Sequence, residues 1–239
     1  MDEQAFEARV GGIAALDHSV SRAAYRLLVE RGWRSRDEVA EALGLPRSVA
    51  AFHLDKLEAA GLLQSRFERT TGRSGPGAGR PAKLYHRVAT EIALSLPERR
   101  YDLAGSVLAE ALERTAGGVA VEHATGQAAR DEGRRAGAAG RGRLRPSSRP
   151  AERRRAVIDV LAAHGYEPLV AGEDVVLANC PFHSLAQRHR PLVCGMNLDF
   201  LGGVLEGLEL DGQLRVRLAP EPGHCCVRIG VAGTPAPPG

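Results

Sequence analysis

The chain has 239 residues, of which 44% are hydrophobic and 26% are charged, a composition that indicates a globular protein and argues against a disordered one. At this length two domains of ordinary size are expected. No apolar run is long enough to span a membrane, and the first residues lack the features of a secretion signal, so we expect a cytoplasmic protein with no membrane partner. The net charge of +3 is too small to indicate a nucleic-acid partner by itself.

Three helices are predicted in the first third of the chain. Residues 20–32 have apolar positions at helical spacing and end at a glycine. Ser35 and Glu38 have the spacing of a capping box, which starts a second helix that ends at Gly44. Pro46 suits the first turn of the third helix, because a proline lacks the N–H group that would have no partner there. Two helices joined by a short glycine-containing turn are typical of a helix-turn-helix.

The third helix is predicted to run to about residue 60 and to bury Ala50, Leu54 and Leu57 at positions i, i+4 and i+7. Residues 62–69 and 82–88 are predicted strands, and the segment between them is too rich in glycine and proline for a packed element. Six basic residues and one acidic residue lie between positions 66 and 87. Two strands joined by a flexible basic loop predict the wing of a winged helix.

The exposed face of the third helix and the wing are the predicted DNA-binding surface. A recognition helix offers its N-terminal residues to base edges, and basic wing residues contact phosphates, which fix position more than they read sequence. The predicted contact residues are Arg36, Arg47, Ser48, Ala51, Phe52, His53, Lys56, Arg73, Arg80 and Lys83. The alternative interpretation is a winged helix that contacts only proteins and whose basic loop is merely solvated.

Beyond the wing the sequence predicts a helical segment and then a second domain. Residues 91–115 predict one or two helices with a shared apolar face, which would pair with the same helix of a second subunit. Residues 126–155 are predicted to be a polar helix that frays into a linker. The fold class is α+β, comprising a winged helix-turn-helix domain (1–90), a helical dimerisation segment with its linker (91–150), a small α+β sensor domain (151–232) and a disordered tail (233–239).

All four cysteines lie in the last third of the chain, with the spacing C-x13-C-x30-C-C. Cys180 is expected at a strand end, Cys194 at a helix start and Cys225 at a strand start, where side chains can converge, and a helix start also favours the thiolate. No C-x2-C pair is present, so the spacing alone indicates neither zinc nor a ferredoxin-like cluster. The residues alone leave open an iron–sulfur cluster, zinc, a thiol redox switch and buried cysteines without a metal.

Two stretches of the chain resemble one family of bacterial regulators. AAFHLDKLEAAGLL followed by GRPAKLY resembles the arsenic-responsive and DeoR-like winged-helix repressors and, more narrowly, SufR-type regulators of iron–sulfur assembly. NCPF…LVC…N, with a late cysteine before a final strand, resembles the C-terminal domain of the same regulators. The resemblance covers nearly all of the chain except residues 116–150 and the tail. It implies a [4Fe-4S] cluster held by Cys180, Cys194 and one cysteine of the late pair, for which we favour Cys225.

The adjacent pair is a departure from that family pattern. Neighbouring side chains on a strand point to opposite faces, so we do not expect Cys225 and Cys226 to bind one cluster together. The fourth ligand is left open between His224, Cys226, His183 and an exogenous group, and zinc is the alternative metal.

The predicted function is a homodimeric transcriptional repressor that binds a palindromic operator in double-stranded DNA, with an affinity controlled by the cluster. The alternative is a metal-free or zinc-binding winged-helix repressor that responds to a small molecule or to thiol oxidation. We do not expect an enzyme, because Asp199 and Glu206 near Cys194 follow no catalytic motif and no glycine-rich phosphate loop joins a strand to a helix.

Overall fold

The computed structural model describes residues 3–69, 81–89, 91–145 and 147–232, which form a mixed arrangement of helices and sheets. The chain divides into two compact units, with the division between Leu94 and Ser95. The sequence predicts a first domain ending at residue 90 and a helical dimerisation segment with its linker over 91–150, and these bounds stay a prediction. Among the described residues, none of the helices combines the length and the apolar character that crossing a bilayer requires.

The N-terminal unit is a helical bundle with a three-stranded antiparallel sheet in the order β1-β3-β2. The two predicted wing strands pair antiparallel as β2 and β3, with Ser65 opposite Tyr85, and we call this pair the wing hairpin. The first helix is not predicted from the sequence, because its two glycines weaken the helical pattern. The elements are α1 (Glu3–Ala15), α2 (Ser19–Arg31), β1 (Arg34–Ser35), α3 (Arg36–Leu43), α4 (Arg47–Ala59), β2 (Leu63–Glu68) and β3 (Ala82–Arg87).

The turn between α3 and α4 follows from local sequence chemistry. The Ser35 hydroxyl accepts a hydrogen bond from the backbone N–H of Glu38 at 3.3 Å, and the Ser35 N–H donates to the Glu38 carboxylate at 2.8 Å. This is the predicted capping box, and it fixes the start of α3. Gly44 ends the helix with φ = 63°, in the left-handed region that a glycine adopts without strain. The predicted inner face of α4 is buried through Ala50, Leu54 and Leu57.

The C-terminal unit packs helices on a four-stranded antiparallel sheet in the order β4-β5-β7-β6. Its predicted strands and most of its predicted helices are present. Its elements are α5 (Tyr101–Thr115), α6 (Val121–Gly140), α7 (Pro150–Ala163), β4 (Pro168–Ala171), β5 (Asp174–Leu177), α8 (His183–Arg188), α9 (Arg190–Gly207), β6 (Leu214–Leu218) and β7 (Val227–Val231).

Helices α6 and α9 are packed backbone against backbone. A Cβ atom on Gly133 of α6 would lie 2.0 Å from the carbonyl oxygen of Phe200, and one on Gly203 of α9 would lie 2.1 Å from that of Arg130. Only glycine allows so close an approach. The helix predicted within residues 126–155 is therefore present as α6, but it is a buried central helix of the unit and not a polar one. The burial was not predicted, because α6 buries mainly alanine and glycine, which leave no stripe of large apolar residues to recognise.

Helix α5 finds its packing partner within the chain. Leu103 and Val107 of its apolar face are buried in the core of the C-terminal unit, whereas Leu112 is 65% exposed. The helix begins at Tyr101, and the residues described between 91 and 100 are not helical. An apolar face on this segment therefore does not by itself require a second subunit, and dimerisation through it stays a prediction.

Candidate functional site

One face of α4 presents a mixed polar and aromatic surface to solvent. Ser48, Phe52 and Lys56, at positions i, i+4 and i+8, are all exposed, and Phe52 is exposed to 65%. Arg47 lies beside this row, is exposed, and forms an ion pair with Asp37 of α3. A cation, a hydroxyl and an apolar ring along one helix face are groups that can contact phosphates, base edges and thymine methyls. Ala51, which completes the predicted row, is half-buried.

His53, also predicted to contact DNA, is buried inside the N-terminal unit. Its Nδ1 lies 2.9 Å from the hydroxyl of Ser21 on α2, and its ring centroid is 4.5 Å from that of His18. Burial, followed by the nearby charges of His18 and Lys56, lowers the pKa of His53. The imidazole therefore joins α4 to α2, and a neutral ring suits this position.

Two further predicted DNA contacts, Arg36 and Lys83, lie in an internal network that we call the Asp55 cluster (Arg36, Asp55, Glu58, Lys83 and Tyr85). The Arg36 Nη2 donates to both carboxylate oxygens of Asp55, at 2.8 and 2.7 Å. Lys83 Nζ donates to Asp55 at 3.0 Å and to Glu58 at 2.5 Å. The Tyr85 hydroxyl donates to Asp55 at 2.7 Å. The cluster thus joins α3, α4 and the wing strand β3.

The charges of the Asp55 cluster balance, since two carboxylates face two cations. Burial alone would raise the pKa of Asp55, but hydrogen bonds from Tyr85, Lys83 and Arg36 outweigh it, so the pKa lies below its ordinary value. Burial likewise opposes the charge on Lys83, yet hydrogen bonds to Glu58 and Asp55 raise its pKa. All four groups remain ionised near neutral pH, and each already has a partner.

The other face of the wing hairpin has an aromatic stack. The guanidinium carbon of Arg66 lies 4.2 Å from the ring centroid of Trp33, and the His86 ring stacks on the same tryptophan at 5.0 Å. Trp33 is the single tryptophan of the chain, so its fluorescence reports on this unit. Arg73 and Arg80, the predicted wing contacts, lie outside the described residues.

The four cysteines of the C-terminal unit come from three segments. We call them the thiol cluster (Cys180, Cys194, Cys225 and Cys226). Cys180 lies between β5 and α8, Cys194 lies in the second turn of α9, and the adjacent pair directly precedes β7. Cys225 is buried, the other three are half-buried, and all four are free thiols. The side chains of these cysteines interact with one another, Cys226 included, and their role as metal ligands stays a prediction.

The interactions between these thiols link them into one group. Hydrogen bonding with Cys180 and then with Cys226 lowers the pKa of Cys225, against the effect of burial. Hydrogen bonding with Cys225 raises the pKa of Cys180, to which burial adds. The pKa of Cys226 is raised by hydrogen bonding with Cys225, by burial and by Cys194. The order of contact is thus Cys180, Cys225, Cys226, Cys194.

The expectation that Cys225 and Cys226 face apart needs correction. It assumed that both residues lie in a strand, but β7 begins only at Val227. The Cys225 N–H donates to the carbonyl of Leu177 at 2.8 Å, while the Cys226 carbonyl accepts from the N–H of Ala219 at 2.8 Å. The pair forms a bend held from two sides, and alternation along a strand does not apply to it.

Asn197, which sequence reasoning missed as a functional residue, orients one of the sulfurs. Its Nδ2 donates to the Cys225 Sγ at 3.2 Å, and its Oδ1 accepts from the hydroxyl of Tyr166 at 2.5 Å. Asn197 and Tyr166 are both buried. The signal in the sequence is spacing, because Asn197 follows Cys194 by three positions and so shares its face of α9.

The two histidines proposed as fourth ligands are exposed and have other partners. His183 Nε2 lies 3.0 Å from the side-chain nitrogen of Gln187, and His224 Nδ1 lies 3.4 Å from the carbonyl oxygen of Pro222. Across the described ranges, no set of three or more His, Cys, Asp or Glu side chains has an arrangement ready to hold a metal ion. The thiols are thus gathered, but they are not arranged as a finished metal site.

A model of the helix-turn-helix domain family matches residues 16–66, which run from the end of α1 through most of β2. The match supports a DNA-binding transcriptional regulator. Regulators with this domain are typically not enzymes. Searches of curated proteins and of solved structures find no match to the chain.

Proposed function

We propose that the chain is a transcriptional repressor whose affinity for operator DNA is controlled by an iron–sulfur cluster bound through Cys180, Cys194 and Cys225. The observation that carries the proposal is the contact between thiols from three separate segments of one unit. The exposed row on α4 supports the DNA-binding half of the proposal. The resemblance to SufR-type regulators supports the cluster.

The donor chemistry of the thiol cluster fits such a group. Soft sulfur donors favour zinc and iron–sulfur clusters over hard cations. Arg99 donates to the backbone carbonyl of Cys180 at 2.8 Å, but no positively charged group stands among the main influences on the pKa of Cys180, Cys225 or Cys226. Several thiolates so close together require a counter-charge, and a metal supplies one. Because the thiols contact one another, they must rotate about their side-chain bonds to accept it.

A bound cluster would supply iron- and redox-sensitive links between the segment before α8, helix α9 and the start of β7. The surrounding protein contributes the rest. Asn197 donates to one sulfur, and the buried rings of Phe182 and Tyr166 exclude water from the unit's core. We propose that losing these links lowers the affinity for DNA, through a homodimer on a palindromic site. Half-sites about 34 Å apart would make binding sensitive to small changes of the dimer.

The test needs a DNA probe, which selection from a random duplex library with anaerobically reconstituted protein provides. The Kd for the selected duplex is then measured for reconstituted and metal-free protein. We expect at least about a tenfold difference, equivalent to about 1.4 kcal/mol of coupling. Arg47→Ala, beside the exposed row, should weaken binding in both states. Equal Kd values for the two states would contradict the control by a cluster while leaving DNA binding intact.

Zinc is the second candidate, and one observation favours it. Four sulfurs at about 2.3 Å from a single ion lie within roughly 4 Å of one another, which suits thiols that already interact by hydrogen bonding. Metal and sulfide analysis separates the two, since an iron–sulfur cluster brings inorganic sulfide and colour whereas zinc brings neither.

A further inference from the structure

We infer that Cys226 is the fourth protein ligand, so that the C-terminal unit holds its metal centre with four cysteine sulfurs and no histidine. This inference rests on the proposed function, in that it presumes a metal centre at the thiol cluster. Cys226 is a residue in which the chain departs from the regulators that it resembles. The motif quoted for those regulators contains no counterpart of this fourth cysteine.

The first argument is position. Cys226 interacts with both Cys225 and Cys194, and so lies between the sulfur at the start of β7 and the sulfur on α9. It is half-buried and packs against the core of the unit rather than standing in solvent. A centre bound by Cys180, Cys194 and Cys225 would therefore have the Cys226 sulfur beside two of its ligands.

The second argument is backbone anchoring. The N–H of Cys225 is bonded to the end of β5, and the carbonyl of Cys226 is bonded to Ala219, just after β6. Two adjacent residues held from opposite sides keep a fixed bend, which allows neighbouring side chains to turn toward one point. Preorganised ligands bind a metal with a smaller loss of conformational entropy than mobile ones.

The third argument is the state of the competitors. His183 and His224 are exposed, and each already lies near another polar group. Neither appears among the main influences on the cysteines. To bind the same centre, either imidazole would have to leave its partner and move into the core, whereas the Cys226 sulfur is already there.

The test uses the whole chain and Co²⁺ as the probe, because thiolate-to-cobalt absorbance grows with the number of bound sulfurs. We expect Cys226→Ser to lose about a quarter of this absorbance and to bind Co²⁺ at least about tenfold more weakly. His224→Gln and His183→Gln are matched controls that should equal the wild type. Cys226→Ala, with circular dichroism to verify folding, repeats the test without a hydroxyl that could replace the sulfur.

Two outcomes overturn the inference. One is a Cys226→Ser variant with wild-type absorbance and affinity, and the other is a loss of absorbance in either histidine variant. Other outcomes would contradict the proposed function. If the wild-type chain binds Co²⁺ through four sulfurs but DNA affinity ignores the metal, Cys226 keeps its role and only the regulation is lost. If wild-type chain binds neither Co²⁺ nor iron, both proposals fall together.

Discussion

The Asp55 cluster and the thiol cluster both gather side chains from separate segments, but they differ in whether those side chains form ion pairs. Each gathers reactive side chains from separate segments of its own unit. In the Asp55 cluster, two carboxylates face two cations, so each charge has a partner within the protein. The thiol cluster has sulfur donors and an amide donor, and Arg99 bonds to the backbone carbonyl of Cys180 rather than to a sulfur. Paired charges stabilise the N-terminal unit, whereas free sulfur donors have the chemistry that binds zinc and iron–sulfur clusters.

The comparison also changes the interpretation of individual basic residues. Arg36 and Lys83 were predicted DNA contacts because they are basic and lie near a recognition helix. Their side chains are only 27% and 19% exposed and are held by Asp55 and Glu58. Lys56, on the exposed row of α4, has no such restraint in the contacts described. A basic side chain that is half-buried and held by internal carboxylates is therefore a weaker candidate for a DNA contact than an exposed one.

The largest expected effect comes from disturbing the helix that carries Cys194. Gly203→Ala places a Cβ 2.1 Å from a carbonyl oxygen of α6, so the helices must separate. We expect a loss of about 3 kcal/mol or more in the free energy of unfolding of the C-terminal unit, measured by urea denaturation with circular dichroism. Gly195→Ala is the control on the same helix, since nothing lies within 4 Å of its Cβ. Equal stability of the two variants would refute the close packing.

A smaller loss of stability should follow from disrupting the Asp55 cluster. Asp55→Ala leaves Arg36 and Lys83 half-buried without their shared carboxylate. We expect the N-terminal unit to lose about 1–2 kcal/mol, followed through Trp33 fluorescence in urea. Asp37→Ala removes the exposed ion pair with Arg47 and should cost less than about 0.5 kcal/mol. Equal stability losses in Asp55→Ala and Asp37→Ala would mean that the Asp55 cluster contributes no more than exposed ion pairs do.

As the pH is lowered, the stability of the N-terminal unit should first depend on the protonation of His53 and only later on that of the carboxylates. The pKa of His53 in the fold lies below 6.5, so the unfolded chain takes up the proton first. Stability of the N-terminal unit should therefore be greatest above pH 6.5 and fall as the pH drops below it. The pKa of Asp55 is also lowered, but from 3.8, so its contribution is lost only in stronger acid.

Urea titrations from pH 7.5 to 5, at intervals of about half a unit, measure this slope. We expect His53→Gln to remove it and His86→Gln, on the wing strand, to keep it. A slope that survives in His53→Gln would assign the effect to another group. Circular dichroism is the preferred signal here, because His86 stacks on Trp33 and its replacement alters the fluorescence.

The smallest effect concerns the only two lysines of the chain. A phosphate contact contributes close to one unit to the slope of log K against log salt concentration. We expect Lys56→Ala to reduce that slope by about one on the selected duplex. Lys83→Ala should lower the affinity without changing the slope, because Lys83 is paired inside the Asp55 cluster. An equal change of slope in both variants would place Lys83 on DNA as well.

The sequence predicts the elements whose local chemistry is strong. The capping box at Ser35, the helix end at Gly44 and the apolar row of α4 all determine structure within a few residues, and each is present in the structure. These are features that depend on neighbours in the chain.

What depends on tertiary packing was not predictable in the same way. Helix α6 is buried through small residues because α9 also carries glycines at the contact, and neither helix reveals this alone. Arg36 and Lys83 meet at Asp55 only once β3 has paired beside α4. The inclusion of Cys226 in the thiol cluster depends on where β7 begins, a boundary that a run of apolar residues leaves ambiguous.

Native mass spectrometry of the anaerobically reconstituted chain tests most directly whether the thiol cluster holds an iron–sulfur group. We expect each chain to gain about 350 Da, the mass of four iron and four sulfide ions, and to lose this gain in Cys194→Ala. Inorganic sulfide must be recovered in the same proportion as iron. A chain that keeps its metal-free mass after reconstitution, or that gains the same mass in Cys194→Ala, would contradict the proposal.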